Sequence, residues 1–341
     1  MKKIKFMLLT FILVLTSIVF FAGCQQKEEL PQKEETIRNE PEKTSIHMAV
    51  LKGPTGIGAV ELMQQNEEKN SLNEYEFTIA AAPEEIISKV VSGEVDIAAV
   101  PTNMASTLYN KTEGKVKIAA INTLGVLYLL ENGDEIQSLE DLTGKTLYIS
   151  GKGATPEYIM DYLLKSNNIQ DVTIEFKTTH EELVAALASN QVSIGVLPEP
   201  QVTAVTSKSP NTRIALDITK EWETTSQKLQ KEESKLAMGC IVVREDFLEE
   251  NKEAFDNFLK EYKQSIDFTN QNQKEAASLV EKFEIIPSAQ IAEKAIPNCN
   301  VVYIDGEEMK NSLTDFYSVL FEANPQSIGG KLPDEDFYYS K

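Results

Sequence analysis

Histidine, cysteine and tryptophan are scarce in this chain of 341 residues, which holds two, three and one of them. They form no cluster with metal-ligand spacing, and no P-loop, complete dinucleotide-binding or nucleophile-elbow motif follows an apolar run. We therefore expect no metal, no cofactor and no catalytic residue. Two of the cysteines are Cys240, which lies in an apolar run, and Cys299, and we favour free thiols over a disulfide for this pair.

Positive charge is also in short supply. The formal net charge is −20, from 33 lysines and arginines against 53 aspartates and glutamates. A chain this acidic repels the phosphates of nucleic acids, and its surface is not attracted to an anionic membrane. We therefore exclude nucleic acid as a partner and expect contact with a membrane only through an attached lipid.

The amino terminus has the pattern of a secretion signal. Three lysines among the first five residues precede the apolar run 7–22. This run is too short to span a bilayer comfortably, and small residues stand before the expected cut. We predict a signal peptide over residues 1–23. Residues 24–44, rich in Glu, Lys and Gln, cannot bury a core, which predicts a disordered tether.

The junction of these two segments, Phe21-Ala22-Gly23-Cys24, resembles the bacterial lipobox, with Phe21 in place of the more usual leucine. By that resemblance Cys24 becomes the first mature residue and carries lipid. The alternative is a plain cleaved signal in which Cys24 is an ordinary residue.

One short sequence motif occurs twice in the rest of the chain. Lys52-Gly53-Pro54-Thr55 and Lys152-Gly153-Ala154-Thr155 each follow an apolar run and precede apolar residues with helical spacing. The similarity between the two halves continues downstream, where Val95–Pro101 matches Val192–Pro198. Both halves therefore read strand, loop, helix, strand, helix, strand, which predicts two similar α/β lobes.

Loops of this kind suit an anionic ligand. The first turn of a helix leaves N–H groups unpaired at the positive end of the helix dipole, and glycine lets a ligand approach the backbone. Ligands of open parallel sheets lie outside the carboxyl ends of the strands. Two such edges facing each other make a two-walled site. For either loop taken alone, an ordinary strand-to-helix turn is the alternative.

The apolar pattern also places the boundaries of the lobes. We expect residues 45–124 and 236–341 to form the first lobe and residues 125–235 the second, joined by two crossing strands that act as a hinge. The return crossing is predicted at 236–243. Beyond it the pattern predicts only helices, packed on the first lobe, over 255–266, 276–283, 289–295 and 309–321.

These features together resemble the extracytoplasmic solute-binding proteins of ABC importers. The run 138–145, SLEDLTGK, resembles the entry to the second lobe in the nitrate/sulfonate/taurine branch of that class, and segments 195–200 and 240–247 resemble it as well. The resemblance covers about residues 45–325. It implies an α/β, two-lobed, periplasmic-binding-protein-like fold of type II.

The resemblance also implies a function. It describes a monomer that is anchored outside the cytoplasmic membrane, captures a small solute between its lobes and delivers it to a permease. The ligand-binding residues that it implies are Gly53, Pro54, Thr55, Pro101, Thr102, Asn103, Gly153, Ala154, Thr155 and Glu199. Amides at the three threonines favour a carboxylate, sulfonate or phosphate group on the solute.

Each of three side chains near these loops has two possible roles. Glu199 either pairs a cationic part of the ligand or caps the following helix. Trp222 and Tyr128 either form an aromatic wall of the site or pack in the core.

An enzyme of the same fold is the alternative function. Some relatives of this fold act in pyrimidine or menaquinone-precursor synthesis and need an acid–base group in the cleft. Those enzymes are cytoplasmic, so the signal segment argues against them. Neither His47 nor His180 lies on the predicted cleft loops. A sensor subunit that presents its lobes to a receptor is a third reading.

Overall fold

The computed structural model describes residues 43–231 and 233–340. The predicted signal peptide, Cys24 and nearly all of the tether therefore lie outside the described residues. Within the described ranges, no helix is both long and apolar enough to cross a membrane.

Eleven strands are described. They are β1 Ser45–Leu51, β2 Glu74–Ala80, β3 Ile97–Pro101, β4 Val116–Thr123, β5 Leu127–Asn132, β6 Thr146–Ser150, β7 Thr173–Lys177, β8 Ile194–Pro198, β9 Thr212–Asp217, β10 Gly239–Arg244 and β11 Val301–Ile304. They form two sheets, one of six strands in the order β11-β4-β10-β3-β1-β2 and one of five in the order β7-β6-β8-β5-β9. We call the bodies built on these sheets the first and the second lobe.

Thirteen α-helices are described on and around these sheets. They are α1 Pro54–Ile57, α2 Val60–Glu67, α3 Pro83–Ser92, α4 Thr102–Lys111, α5 Thr155–Ser166, α6 His180–Ala188, α7 Gln201–Lys208, α8 Ile218–Lys228, α9 Glu245–Glu250, α10 Lys252–Gln271, α11 Gln273–Lys282, α12 Ala289–Ala295 and α13 Gly306–Ala323. Short 3₁₀ turns cover Leu139–Leu142, Ile296–Asn298, Pro325–Ile328 and Glu335–Phe337.

The two sheets share one topology, as the repeated sequence predicts. In each sheet, the three strands of a βαβαβ unit run parallel. The strand that the chain forms directly after crossing from the other lobe lies antiparallel beside the third of them. That strand is β10 in the first sheet and β5 in the second. All of β10 except its last residue is buried, as expected for a strand covered on both faces. The predicted two-lobed α/β fold is confirmed.

The crossings join the carboxyl edges of the two sheets. The chain leaves the first sheet at Thr123 and enters the second at Leu127, which pairs with Pro198 at the end of β8. It returns at Gly239, which pairs with Pro101 and Thr123 at the ends of β3 and β4. The carboxyl ends of the parallel strands in both sheets therefore adjoin each other, which is the arrangement that a shared cleft requires.

Three details differ from the sequence-based expectation. The helical pattern that follows the first glycine loop forms two helices, α1 and α2, which are separated near Gly58, where an added Cβ would lie 2.9 Å from Ile266 of α10. The return strand begins at Gly239 instead of Leu236. The segment after residue 244 is not wholly helical, because β11 forms the edge of the first sheet beside β4.

Helix α13 packs on both lobes, although its sequence predicted packing on the first lobe alone. Trp222 of α8 is fully buried, with its ring 4.8 Å from that of Tyr162 in α5 and 5.9 Å from that of Phe316 in α13. These three aromatic rings form a continuous contact from the second lobe to the carboxyl-terminal helix. Of the two readings of Trp222, the structure supports core packing.

Candidate functional site

The first glycine loop follows β1. Gly53 has a φ of 98°, which favours glycine, and its N–H donates to the carbonyl of Ile285 at 3.0 Å. Pro54 is the first residue of α1, where the lack of an N–H costs nothing. Thr55 is buried, and its carbonyl accepts a 3.0 Å hydrogen bond from Asn122 Nδ2. The loop is thus held from two sides by its own lobe.

The second glycine loop follows β6 and is held by side chains from the first turn of α5. Gly153 has a φ of 78°; its N–H donates to Glu157 Oε2 at 2.5 Å, and its carbonyl accepts from Tyr158 Oη at 2.8 Å. Ala154 is the N-cap residue, and Thr155 begins the helix. No side chain of the described residues caps α1 or α5. Pro54 and Pro156 have no N–H, and the N–H groups of Gly56 and Glu157 donate to the carbonyls of Gly53 and Ala154 at 3.0 Å. The amide that these contacts leave open at each helix start is that of Thr55 in α1 and of Thr155 in α5.

The third predicted loop begins α4 after β3 ends at Pro101. The N–H of Thr102 donates to the carbonyl of Met238 at 3.2 Å, so this amide is used by the return crossing. The Thr102 hydroxyl is buried, with the Cys240 thiol as its polar neighbour. Asn103 donates from its side-chain amide to the carbonyl of Ser327 at 3.2 Å. At this helix start the Thr102 amide and the Asn103 side chain are therefore both engaged within the protein.

Glu199 lies after β8 and is 1% exposed. Its carboxylate accepts from Thr203 N and Thr203 Oγ1, each at 3.0 Å, and from Asn298 Nδ2 at 3.2 Å. Burial raises the pKa of Glu199, and these hydrogen bonds offset part of that rise. The structure thus shows the helix-capping alternative, and no cation is among its partners in the described residues.

Side chains also cross between the lobes on two flanks of the adjoining edges. On one flank, Tyr128 Oη of β5 donates to the carbonyl of Asn298 at 2.8 Å. Tyr128 is buried, and this burial raises the pKa of its hydroxyl. On the other flank, Asn324 Nδ2 donates to Tyr158 Oη at 2.9 Å. The two lobes are therefore in contact through these two hydrogen bonds.

His180 lies close to the end of β6, although its sequence context did not predict a position near the site. His180 begins α6, and its Nδ1 lies 2.5 Å from Oγ of Ser150, the last residue of β6. Burial lowers the pKa of His180. The parallel pairing of β6 with β7 brings these residues to the same sheet edge, although His180 is on none of the three predicted loops. His47 instead lies 3.0 Å from Glu76 and 3.6 Å from Asp96.

The two described cysteines are free, as expected. Cys240 and Cys299 are both buried and unpaired, and burial raises the pKa of each thiol. Within the part of the chain that the structure describes, no group of three or more His, Cys, Asp or Glu side chains is arranged to hold a metal ion.

Comparison with solved structures shows the same fold in transport proteins. An ABC transporter from Parabacteroides distasonis has a TM-score of 0.72 and 24% identity, covering 88% of this chain and 100% of its own. The aliphatic sulphonate binding protein SsuA of Escherichia coli has a TM-score of 0.65 and 13% identity, covering 87% of this chain and 92% of its own. The nitrate-binding protein NrtA of Synechocystis PCC 6803 has a TM-score of 0.51 and 15% identity, covering 80% and 76%.

A family model gives the closer assignment. The search of curated proteins found no significant match. Residues 62–289 match the model of a family described as ABC transporter, phosphonate, periplasmic substrate-binding protein. The class implied by the sequence resemblance is thereby confirmed, and the sulfonate- and nitrate-binding proteins of the resemblance are among the structural neighbours. This chain belongs to the phosphonate family of periplasmic substrate-binding proteins of ABC transporters.

Proposed function

We propose that this protein captures a small organic solute bearing an anionic group between its two lobes and passes it to the permease of an ABC importer. Capture stabilises the arrangement in which both lobes contact the ligand. The predicted ligand residues Gly53–Thr55, Pro101–Asn103 and Gly153–Thr155 are proposed to line the cleft. Glu199 is proposed to fix the shape of the site, with a direct ligand contact as its second role.

One observation carries this proposal. The carboxyl edges of the two sheets adjoin, and helix starts from both lobes come to these edges, with α1 and α5 left without side-chain caps among the described residues. Unpaired amides at the positive end of a helix dipole bind anions. Lys152, which is exposed on the second loop, adds positive field in a chain whose net charge is −20, whereas Lys52 Nζ lies 3.6 Å from Glu284 Oε2, which offsets its charge.

The comparisons bear on which anionic group the solute carries. The description of the matched family names phosphonate, and two structural neighbours are described as binding sulphonate and nitrate. These ligands share a compact anionic group with several oxygens. We therefore place organic phosphonates first among candidate solutes and sulfonates second.

The proposal extends to the position of the protein in the cell. Lipid on Cys24, followed by the tether, would hold a monomer at the outer face of the cytoplasmic membrane, close to the permease. The hinge is proposed at residues 124–126 and 236–238, which divides the chain into the lobes 45–124 plus 236–341 and 125–235. Changing Cys24 to Ser should release the protein from the membrane fraction, and retention would count against the anchor.

A ligand screen tests the main proposal. Phosphonates, sulfonates, nitrate, phosphate, amino acids and thiamine-related pyrimidines are added to the purified chain, and the thermal midpoint is measured. A ligand at a hundred times its Kd adds about 2.7 kcal/mol to stability. Incubation with the ligand found, followed by mass spectrometry, separates binding from the enzyme alternative, because turnover would support that alternative.

A matched pair of variants locates the site. Thr55→Val together with Thr155→Val keeps the backbone amides but removes the two hydroxyls beside them, so it should reduce the ligand-induced shift and leave the unliganded midpoint nearly unchanged. The control is Thr206→Val with Thr314→Val, whose hydroxyls bond to carbonyls of their own helices at 2.9 Å. If the first pair of variants binds the ligand with unchanged affinity, the binding site does not lie at the two glycine loops.

A further inference from the structure

The geometry points to Tyr158 and Asn324 as positioning residues that tie the second glycine loop to the first lobe. This inference rests on the proposed function, because it assigns the loop a ligand to bind. It adds a hydrogen-bonded connection between the second glycine loop and the start of α4, through the turn Pro325–Ile328.

The first bonds fix the loop to α5. Tyr158 Oη donates its one proton to the carbonyl of Gly153, and Glu157 Oε2 accepts from the N–H of the same glycine. Tyr158 is 7% exposed, whereas Gly153 is exposed. A phenol has one proton to donate and retains lone pairs to accept. The hydroxyl is therefore free to receive a second partner without releasing the loop.

The second bond supplies that partner from the first lobe. Asn324 follows the end of α13, and its Oδ1 accepts from Gln326 N at 3.1 Å, which caps the turn Pro325–Ile328. Its Nδ2 then donates to Tyr158 Oη at 2.9 Å. One amide side chain thus caps its own turn and reaches across to the other lobe.

The remaining bonds join this turn to the other wall of the site. Ser327 and Ile328 offer their carbonyls to α4: Asn103 Nδ2 donates to Ser327 at 3.2 Å, and Ser106 Oγ and Asn110 Nδ2 each donate to Ile328 at 2.9 Å. Helix α4 begins at Thr102 in the proposed site. A continuous route therefore runs from Gly153 through Tyr158, Asn324 and the turn to Asn103.

The link depends on the packing of Asn324 beside α5. Asn324 follows α13, which packs on both lobes, whereas Tyr158 lies in α5 of the second lobe, so a movement that separates Asn324 from α5 breaks their bond. The bond between Tyr158 and Gly153 lies within the second lobe and survives such a movement. Consequently the loop keeps the support of Glu157 and Tyr158, and Asn324 adds a third support while it contacts Tyr158.

Two variants isolate the link. Tyr158→Phe removes the shared hydroxyl. Asn324→Ser keeps a side-chain oxygen suited to cap the turn but is too short to reach Tyr158. Tyr75→Phe is the matched control, since Tyr75 is equally buried and donates its hydroxyl to Glu261 at 2.6 Å at the other end of the first lobe.

Amide hydrogen exchange of the unliganded full chain provides the first test. Peptides covering residues 151–156 should exchange roughly five-fold faster in Asn324→Ser, as expected when about one hydrogen bond is lost, and at least as fast in Tyr158→Phe. The same peptides should exchange at the wild-type rate in Tyr75→Phe. A wild-type rate in Asn324→Ser would overturn the inference, because the loop would then be held by its own lobe alone.

Combining the variants gives a second test. With methylphosphonate as the probe, the Kd should rise in each single variant, and the double variant should be no weaker than Tyr158→Phe alone. Additive losses would overturn the link. Failure of methylphosphonate to bind the wild-type chain would count against the proposed ligand class, while the exchange result, which needs no ligand, would still decide the inference.

Discussion

Asn298 of the first lobe donates a 3.2 Å hydrogen bond to the buried carboxylate of Glu199 in the second lobe. The two residues are 99 positions apart in sequence. Hydrogen bonds to a charged acceptor are worth about 1.5–3 kcal/mol in proteins. This bond therefore contributes to the contact between the lobes on the flank where Tyr128 also reaches Asn298.

Removing the donor should weaken that contact. We expect Asn298→Ala to lower the free energy of unfolding by about 1.5–3 kcal/mol at pH 8, because a buried carboxylate loses one of three donors. Urea denaturation measures the change. The exposed Asn211→Ala serves as the control, and a loss equal to that of the control would remove this bond from the interface.

The ionisation of Glu199 should make stability depend on pH. Its pKa is raised by burial above the usual 4.5, so the folded state favours the protonated form more than the unfolded state does. The resulting stabilisation is fully present below pH 4.5 and is lost as the pH rises through the folded-state pKa. Relative to wild type, Glu199→Gln should therefore become more stable as the pH is raised from 4.5 to 8. Parallel pH profiles for the two proteins would contradict this.

His180 should show the opposite dependence. Its pKa is lowered by burial below 6.5, so the neutral ring is favoured in the folded state. That stabilisation is present above pH 6.5 and is lost as the pH falls through the folded-state pKa. The ring signal of His180, assigned with His180→Asn, should titrate below pH 6.5 in NMR spectra. A midpoint above this value would mean that the ring is charged beside Ser150.

Trp222 should report on the contact between the second lobe and α13. It is the only tryptophan in the chain and is fully buried against Tyr162 and Phe316. Its emission should be blue-shifted in the folded protein and move to the red in denaturant. Trp222→Ala should cost about 3–5 kcal/mol of unfolding free energy, and Trp222→Phe distinctly less. A red emission before unfolding would place the ring in water.

The repeated motifs at Gly53 and Gly153 predicted two α/β lobes, and the family resemblance implied the type II fold. Each marks the end of a first parallel strand, and the apolar runs that follow them fix the other strands of each sheet. The short strand β11 was missed because four residues between helices carry little pattern, and its pairing with β4 is irregular. Pairing of this kind is decided by tertiary contact.

The site was predictable only in outline. The loops were found because glycine and proline mark turns locally. Their polar partners were not, since Tyr158 meets Asn324 at a separation of 166 residues and Thr102 meets Met238 through the backbone. The alternative that Glu199 caps a helix was recognisable, because Thr203 stands four residues later, whereas Asn298 had no local signal.

The insertion of β10 into the middle of the first sheet bears on the order of synthesis. Strands β5 to β9 follow one another without interruption, so their sheet can be completed as soon as residue 217 is free to fold. The first sheet still lacks its central strand at that moment, and β3 and β4 must wait for residues 239–244. Residues 45–123 therefore reach their final state after the second lobe, and they are the portion that a chaperone would need to shield in the meantime.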